Sequence, residues 1–498
     1  MPAIITNKFR INNSEQFSES FSETANQVYY LGIGRPQPFG TSARPDNRTD
    51  YEGTDTAPIT PGDTVGREFY TYDDLIAAKR VTSSDVAFVL PRRNWTSGTV
   101  YDYYRHDYGE YVTGSTTTRI TSDSGATNLT DSTYYVLTAA RNVYKCLDNN
   151  GGAASTDEPT GVSTSVITTT DSYKWKFMYT LSAAQQSNFL SIDFMAVSPN
   201  SSPSADQSNV ISAAVDGSID IVKIKSPGSG GTDGTFNGIP VRGDGSGAVA
   251  SVTVSGGAVI SVAVTTPGSG YTFATLSNAQ IVSAGATSLS GAELDVIIPP
   301  KGGHGANAKE ELGGFFVMMN TSLEGTESAN SGDFSAVNDF RKICLLRDPT
   351  KSASAVTTNT ARLTKAIRFA ASPTPGTFTT DEEINQASTG AVGKVVEWDA
   401  TNRILYYIQT RHNDAGVDAN GNLTSFSGAN VITGQGGGSP TGTPDTSHSA
   451  TTNNVEFVSG YAVPEIDHDS GDVLYIENRT PIQRATDQTE NIKLVIEF

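Results

Sequence analysis

Short apolar runs separated by turn residues recur along most of the chain. Each run is rich in β-branched and aromatic residues and has about the length of one buried strand. Runs of this kind are QVYYLGIG, VAFVLP, TYYVLTAARNVYKCL, YKWKFMYTL, FFVMMN, RKICLLR, KVVEWD, ILYYIQT, VLYIEN and IKLVIEF. This pattern predicts a mainly β fold with a few short helices in its loops.

Three segments carry helical signals instead. In NNSEQFSESFSETAN, Asn13 or Ser14 can cap a helix, and Phe17 and Phe21 then share one face of it. In TYDDLIAAKRV, acidic residues open the segment and basic residues close it, as the helix dipole favours. A third short helix is predicted for SAAQQSNFL, residues 182–190.

The middle of the chain contains an internal repeat. GSIDIVKIKSPGSGG and GAVISVAVTTPGSGY align with Pro227 opposite Pro267, and a short strand follows each copy. Two such units predict a compact all-β module of pseudo-twofold design, in which the PGSG segments are turns joining strand to strand. A second region, rich in Gly, Ser and Thr, holds the predicted hairpin GKVVEWDATNRILYYIQT and a flexible loop, GQGGGSPTGTPDTSHSATTN.

These two regions look like insertions into a core made of three separate segments. The predicted organisation is a first core segment at 1–204, a Gly-rich β-repeat module at 205–300, a second core segment at 301–351, a β-rich insertion with a flexible loop at 352–454, and C-terminal core strands at 455–498.

The last two strands of the chain carry two further expectations. In IKLVIEF, apolar residues alternate along one face, so we expect this strand to be paired within the core. In ENRTPI, Pro481 lacks a backbone donor and should end strand pairing. The polar residues Glu477, Asn478 and Arg479 would then lie in an exposed loop or in a partner contact.

Charge and composition exclude several classes of protein. The chain has 34 basic and 53 acidic residues and a formal net charge of −19, with no concentrated basic patch, which argues against nucleic-acid binding. Cys146 and Cys344 form no CxxC frame, which excludes a disulfide scaffold or a zinc ribbon. No run reaches the roughly 18 apolar residues of a membrane helix, and the first residues contain no apolar signal core.

Motifs that might carry catalysis fail on spacing or context. GAVGK at residues 390–394 has the wrong spacing for a phosphate loop, and the acidic stretches DANGN and DHDSGD are better explained as solvated turns than as calcium loops. The five histidines never form an HxH or HxxxH pair, and no GxSxG motif or catalytic cysteine context occurs. A carboxylate pair for glycoside hydrolysis has no local signal. We therefore predict no catalytic, cofactor or metal site.

One stretch, LPRRNWTSGTVYDYYRHDYGEYV, is enriched in residue types that anchor protein interfaces. Packing of these aromatic residues into the core and a tyrosine platform for sugars remain alternatives. The candidate interface residues are Arg92, Arg93, Trp95, Tyr101, Tyr103, Tyr104 and Tyr108, together with Glu477, Asn478 and Arg479 near the end of the chain.

Several stretches resemble the gene-product-eight family, the baseplate wedge subunits of T-even-type contractile-tailed bacteriophages. IITNKFR and GIGRPQPF fit the start of the family loosely, and the end of the chain is the most specific match. The matching stretches are VLPRRNW, VYKCLD, DSYKW, DFRKICLLRDP and GDVLYIENRTPIQRATDQTENIKLVIEF. The resemblance covers about residues 1–200, 300–350 and 455–498, and the two insertions are similar to longer versions from cyanobacterial phages.

The resemblance implies a structural virion protein of a myovirus, without enzymatic activity or cofactor. The family fold is a layered β-sandwich, and the family subunit forms a homodimer that contacts the wedge proteins called gene products seven, ten and six. These properties imply a location in the tail baseplate of the virion after assembly in the host cytoplasm, with no nucleic-acid or membrane partner. The alternative is a tail-associated glycan-binding protein or depolymerase.

Overall fold

The computed structural model describes residues 4–23, 27–39, 53–113, 115–325, 334, 337–410, 416–485 and 488–498. The chain divides into two compact units, each built from segments that are distant in sequence. The first unit comprises Met1–Gln16, Ala87–Met318 and Val495–Phe498, and the second comprises Phe17–Val86 and Met319–Leu494.

Helices are short and strands dominate the described residues. The α-helices are α1 Asn7–Glu19, α2 Val65–Asp74, α3 Ala183–Phe189, α4 Ala205–Ala213, α5 Asn278–Ser283 and α6 Ala308–Leu312. The strands up to residue 200 are β1 Tyr29–Gly34, β2 Gly53–Thr54, β3 Ala57–Pro58, β4 Leu75–Val81, β5 Val86–Pro91, β6 Gly109–Thr113, β7 Thr116–Ile120, β8 Tyr135–Leu137, β9 Asn142–Asp148, β10 Ile167–Thr168, β11 Lys174–Thr180 and β12 Phe194–Ala196. From there to residue 300 they are β13 Ile221–Ser229, β14 Gly234–Pro240, β15 Arg242–Gly243, β16 Val249–Ser255, β17 Ala258–Thr266, β18 Ala274–Thr275 and β19 Ser290–Ile297.

The remaining strands belong to the last two-fifths of the chain. They are β20 Phe316–Glu324, β21 Phe340–Arg347, β22 Thr350–Lys351, β23 Ser354–Ala355, β24 Thr360–Arg362, β25 Lys365–Arg368, β26 Glu383–Gln386, β27 Ala391–Asp399, β28 Ile404–Ile408, β29 Ile432–Gly434, β30 Thr441–Gly442, β31 Thr451–Thr452, β32 Val455–Glu456, β33 Tyr461–Ala462, β34 Asp472–Ile482 and β35 Thr489–Glu497. The predicted fold class, mainly β with a few short helices, is confirmed.

Two four-stranded sheets contain strands of the first unit. Their strand orders are β10-β11-β9-β8 and β12-β5-β20-β35. Burial in β9 and β11 is continuous along the strand, and the side chains of Tyr144, Trp175 and Phe177 are fully buried. Because both faces of these strands are covered, their central residues are mostly apolar without alternation, and the lysines among them, Lys145 and Lys176, are buried as well.

Residues 219–298 pack around a hydrophobic cluster of their own within the first unit. β13, from the first repeat copy, pairs with β19, which follows the second copy; β17, from the second copy, pairs with β16, which follows the first. The two copies are therefore interlocked by exchanged strand pairing. Each copy therefore depends on a strand that follows the other copy to cover its apolar face.

The predicted PGSG turns are wrong, because both segments continue the pairing of their strands. Pro227 lies opposite Ala292 in the β13–β19 pair, and Ser269 forms a bridge with Ser246. Gly268 has a φ of 66°, and a Cβ there would lie 2.5 Å from the backbone nitrogen of Ala248. Glycine is required at this position both for its left-handed backbone and for the close approach of the paired segment.

The second unit contains a five-stranded sheet of order β24-β4-β1-β21-β34 and a seven-stranded sheet of order β30-β29-β26-β27-β28-β25-β33. The predicted hairpin turn DATN joins β27 and β28, and the carboxylate of Asp399 accepts a hydrogen bond of 3.0 Å from the backbone nitrogen of Asn402. Buried residues of the seven-stranded sheet form a hydrophobic cluster with Phe369 and Phe378, and the partly buried Trp398 packs against it.

Two of the three predicted helices need correction. The predicted helix over TYDDLIAAKRV is wrong: its acidic residues lie in the last turn of α2, which ends at Asp74, and the chain continues as β4. The β4 strand pairs on one side with β1 and on the other with β24, and this central position in a sheet overrides the helix propensity of its alanines. The first helix begins at Asn7, so Ser14 is not its cap; the Ser14 hydroxyl donates to the carbonyl of Ile11 inside the helix.

The third predicted helix is confirmed as α3, where Ser182 and Gln185 form a capping box. The strand predicted at IKLVIEF is confirmed as β35, which lies at the end of the order β12-β5-β20-β35. Ile492 and Leu494 are buried on one face of β35, as the alternation predicted.

The expectation that Pro481 ends strand pairing is wrong. β34 continues through Pro481 to Ile482, which pairs with Phe340. β34 lies at the end of the five-strand order, and an edge strand tolerates proline because one side of its backbone needs no ladder donor. Two register shifts interrupt its pairing with β21, and bulges of this kind are common at sheet edges.

Candidate interface pocket

The arginine- and aromatic-rich segment forms an irregular connection between β5 and β6. Two backbone hydrogen bonds fix its beginning to β8: Leu137 donates to the carbonyl of Arg93 at 2.7 Å, and Trp95 donates to the carbonyl of Leu137 at 2.9 Å. The arginine side chains that follow β5 are thereby held at a fixed place on the first unit.

Tyr101 and Tyr104 lie in the core of the first unit, each with 4% of its surface exposed. The ring of Tyr101 contacts Trp175 edge-on at 5.9 Å, and the ring of Tyr104 contacts His304 edge-on at 4.9 Å. Burial raises the pKa of both phenols above its ordinary value. These positions favour the core-packing alternative for both tyrosines.

Tyr103 and Tyr108 are half-buried and face residues of the repeat module and their own loop. The ammonium of Lys223 lies 4.6 Å from the ring centre of Tyr103, and the Tyr108 hydroxyl donates to the Tyr103 carbonyl at 2.8 Å. Next to them, Arg105 pairs with Asp295 of β19 at 2.6 Å. Much of the aromatic segment therefore forms an intramolecular contact with the β13–β19 pair.

Arg92 and Trp95 are half-buried and use their polar atoms locally. Arg92 donates from Nε to the side-chain oxygen of Asn94 at 3.0 Å and from Nη1 to the carbonyl of Ser191 at 2.7 Å. Trp95 donates from Nε1 to the hydroxyl of Ser155 at 3.1 Å. Both residues keep part of their surface open to solvent.

Arg93 has a different environment, because backbone carbonyls and an aromatic ring hold its guanidinium. Nη1 donates to the carbonyl of Ser132 and Nη2 to the carbonyl of Thr130 at 3.2 Å. The guanidinium carbon lies 4.5 Å from the ring centre of Tyr135. Burial raises the pKa of Tyr135 to about 12, and the charge of Arg93 opposes that rise.

A cavity of about 290 Å³ opens beside Arg93. It lies where β5 and β35 end and β20 begins, next to α1 and α6. Its lining residues are Arg10, Pro91, Arg93, Thr130, Asp131, Tyr135, Leu312, Gly313, Phe315, Phe316 and Glu497. We refer to this cavity, defined by these residues, as the arginine pocket.

Arg10 contributes the second guanidinium to the arginine pocket. Its guanidinium carbon lies 3.5 Å from the ring centre of Phe315, its Nε donates to the carbonyl of Phe498, and its Nη2 contacts the carboxylate of Glu497. The Phe498 nitrogen in turn donates to the carbonyl of Phe315 at 3.2 Å. The side chain of Glu497 is 58% exposed, so the pocket is open to solvent at this point.

The end of helix α6 forms one wall of the pocket. Gly313 follows the last helical residue with a φ of 81°, a left-handed conformation that closes the helix when its nitrogen donates to the carbonyl of Lys309. A Cβ on Gly313 would lie 2.9 Å from Cγ2 of Thr130 on the opposite wall. Glycine thus sets both the backbone turn and the width of the pocket.

A buried ion pair holds α6 in place. Lys145 of β9 contacts the carboxylate of Glu311, and their side chains are 0% and 2% exposed. The other carboxylate oxygen of Glu311 accepts hydrogen bonds from the backbone nitrogens of Gly305 at 2.8 Å and Asn307 at 3.1 Å. Burial lowers the pKa of Lys145, and the charge of Glu311 opposes this effect.

The predicted residues Glu477, Asn478 and Arg479 lie on β34 in the second unit. Nε of Arg479 is 3.3 Å from the carboxylate of Glu477, whose other oxygen accepts a hydrogen bond of 2.9 Å from the Tyr475 hydroxyl. Asn478 donates to the carbonyl of Ile59 at 3.1 Å. We call these three predicted residues the β34 surface.

Sequence reasoning missed Arg10, Phe315 and Glu497 as site residues. Arg10 lies in IITNKFR and Glu497 in IKLVIEF, two stretches that the family resemblance had already marked. The sequence could not show that both residues line the same cavity as Arg93, which belongs to another of these stretches, VLPRRNW.

Within the described ranges, no group of three or more His, Cys, Asp or Glu side chains is placed to hold a metal ion. No helix in the described part of the chain is long and apolar enough to cross a membrane. The arginine pocket combines guanidinium groups and aromatic rings, which are residue types that often anchor interfaces.

Residues 3–151 match the family model described as bacteriophage T4 Gp8. The match confirms the resemblance to the gene-product-eight family over this part of the chain, which includes Arg10, Arg93 and the whole arginine- and aromatic-rich segment. No curated protein matches the chain in sequence.

Proposed function

We propose that this chain, whose residues 3–151 match the family model of bacteriophage T4 Gp8, is a structural subunit of a baseplate wedge in a phage tail. The family match is the observation that carries the proposal. The β-rich fold and the interface-type arginine pocket are consistent with a protein that acts by contact.

The proposal includes partners and place. The subunit forms a homodimer and binds neighbouring wedge proteins of the gene product seven, ten and six types, in the baseplate of the virion, after assembly in the host cytoplasm. Permanent assemblies of this kind usually bury more than about 2,000 Å². The formal net charge of −19 supports protein partners over nucleic acid.

The organisation into a core with two insertions is part of the same proposal. Residues 219–298 share one hydrophobic cluster, and a second cluster is formed by residues between 367 and 461. Separate clusters are what two inserted modules at 205–300 and 352–454 would require, because each must bury its own apolar surface.

The experiment is reconstitution with the neighbouring wedge proteins. The purified chain is measured by light scattering and then mixed with the three neighbours, and complexes are separated by size. We expect a dimer that co-elutes with at least one neighbour. A chain that stays monomeric and joins no neighbour would overturn the proposal.

The glycan-binding alternative gains no support from the tyrosines on which it depended. Tyr104 is buried, and the ammonium of Lys223 lies over one face of Tyr103. Sugar recognition by stacking needs an open aromatic face, and neither ring is a free platform for one.

A further inference from the structure

We propose that the arginine pocket receives an acidic side chain from a neighbouring wedge polypeptide. This inference rests on the proposed function and adds a site and a chemistry to it. The site is the cavity of about 290 Å³ between α1, α6 and the ends of β5 and β35. The chemistry is a carboxylate recognised by guanidinium groups.

The first step of the argument is the charge on Arg93. Its guanidinium contacts the carbonyls of Thr130 and Ser132 and the ring of Tyr135, and it forms no salt bridge with a carboxylate of the described residues. Carbonyl acceptors and a ring face hold the guanidinium in position and leave its full positive charge in place. A rigid, uncompensated arginine is prepared to bind a carboxylate, because little side-chain entropy remains to be lost.

The second step concerns donors. Arg93 uses Nη1 and Nη2 for the carbonyls, and no described residue accepts a hydrogen bond from its Nε. Arg10 uses Nε and Nη2, and no described residue accepts from its Nη1. Neither nitrogen is among the buried polar atoms that lack a partner, so both are accessible to solvent. The pocket therefore offers charged donors at its surface.

The third step is the size and lining of the cavity. A volume of about 290 Å³ is close to the lower limit of about 300 Å³ for a ligand site, which suits one or two side chains rather than a large cofactor. Pro91, Phe315 and Phe316 supply apolar walls for the methylene groups that precede a carboxylate. Aromatic and arginine residues around one cavity are the composition of an interface anchor point.

The acidic residues of the pocket do not supply this carboxylate themselves. Glu497 is already engaged with Arg10, and the Asp131 carboxylate accepts from the side-chain nitrogen of Asn128 and forms no salt bridge with Arg93. The chain as a whole is acidic, so a cation left without a carboxylate is a specific feature of this place and not a general property of its surface. Charge complementarity thus favours an acidic segment of another polypeptide as the occupant.

The test uses three variants of the full chain in reconstitution with the neighbouring wedge proteins. Arg93→Gln removes the charge, and Thr130→Glu places a carboxylate on the pocket wall beside Arg93. Both should weaken co-assembly by about 10- to 100-fold in Kd, since a hydrogen bond to a charged group has that value. Arg242→Gln, an exposed arginine of the repeat module, is the matched control and should leave Kd unchanged.

Thr130→Glu keeps the inference testable if Arg93→Gln lowers stability through the lost carbonyl contacts. If both variants co-assemble with the same Kd as the wild-type chain, the inference is overturned and the proposed function stands. Absence of wild-type co-assembly would instead contradict the proposed function.

A second experiment identifies the occupant. Arg93→Lys places a primary amine at the pocket, and a zero-length carbodiimide reagent then joins that amine to any carboxylate in contact with it. Peptide mass spectrometry of the assembled complex should show position 93 joined to an Asp or Glu of a neighbouring wedge protein. Joining only within this chain, joining only to a second copy, or no joining at all would each overturn the inference.

Discussion

The arginine pocket and the β34 surface both present arginine beside acidic residues, yet they differ in how those charges are compensated. On β34, Arg479 and Glu477 lie 3.3 Å apart and are 42% and 34% exposed, so they neutralise each other in solvent. In the pocket, Arg93 is held by carbonyls and keeps its charge. Residue type alone therefore does not mark a binding surface, because the partners of each side chain decide what remains available.

The two places also differ in what supports them. The pocket wall formed by α6 depends on the buried pair Lys145–Glu311 and on the last strand of the chain. The β34 surface lies on an edge strand interrupted by two register shifts, and bulges and charges on an edge strand oppose pairing with other strands. Substitutions in the residues that support the pocket should therefore lower the free energy of unfolding much more than substitutions on β34.

Deletion of residues 494–498 should have the largest effect. It removes the end of β35, including the buried Leu494 and the Glu497 and Phe498 groups that bind Arg10. The buried Leu494 alone contributes about 1.5–3 kcal/mol, and the partly buried Val495, Ile496 and Phe498 add to this, so the loss is large beside a total stability of about 5–15 kcal/mol. We expect an insoluble or unfolded product by circular dichroism, whereas the control Glu497→Gln should fold. A soluble, folded dimer of the truncated chain would contradict this prediction.

Lys145→Ala should be next in size. It leaves Glu311 as an unpaired charge in the core, which typically costs about 3–5 kcal/mol of unfolding free energy. Replacing both partners together, Lys145→Met with Glu311→Gln, should recover part of that loss, since no charge then remains buried and the amide oxygen can still accept from the backbone nitrogens of Gly305 and Asn307. The measurement is the denaturant midpoint of unfolding, with Lys225→Ala in the exposed pair Lys225–Glu293 as the control. Equal midpoints for Lys145→Ala and the control would show that the buried pair does not support the fold.

Many strands of both units are predictable from the sequence, because buried strands appear there as short apolar segments bounded by turn residues. VYKCLD and KWKFMYT are rich in aromatic and other apolar residues at β9 and β11, and DATN carries the residues of a hairpin turn. The segment LIAAKRV was not predictable in the same way, because its alanines favour a helix and only its place between β1 and β24 makes it a strand. Long-range pairing of this kind is absent from any local window.

The candidate site was predictable only in part, for a similar reason. Arg93 was found because arginine followed by aromatic residues is typical of interfaces. Arg10 and Glu497 were missed because they are separated by nearly the whole chain and meet only in the folded unit. Tyr101 and Tyr104 are candidate interface residues only because their segment is rich in aromatic residues. Their exposure of 4% depends on packing partners far away in sequence, which the segment alone does not reveal.

Gly313→Ala should narrow the pocket at moderate cost. A residue with a Cβ at a φ of 81° is strained by roughly 1–2 kcal/mol, and here the Cβ also meets Thr130 at 2.9 Å. Gly98→Ala is the matched control, because its φ of 86° has the same strain and no atom lies within 4 Å of the added carbon. Thermal unfolding should show a greater loss for Gly313→Ala, and equal losses would indicate that the pocket wall yields freely.

Arg479→Ala should have the smallest effect and tests the comparison from the other side. An exposed ion pair contributes under about 1 kcal/mol, so a double-mutant cycle with Glu477→Ala should give a coupling of about 0.2–1 kcal/mol that falls as salt rises. Co-assembly with the wedge neighbours should change less for Arg479→Ala than for Arg93→Gln, because the charge of Arg479 is already neutralised within the chain. A larger loss of co-assembly for Arg479→Ala would reverse the ranking and make β34 the dominant contact surface.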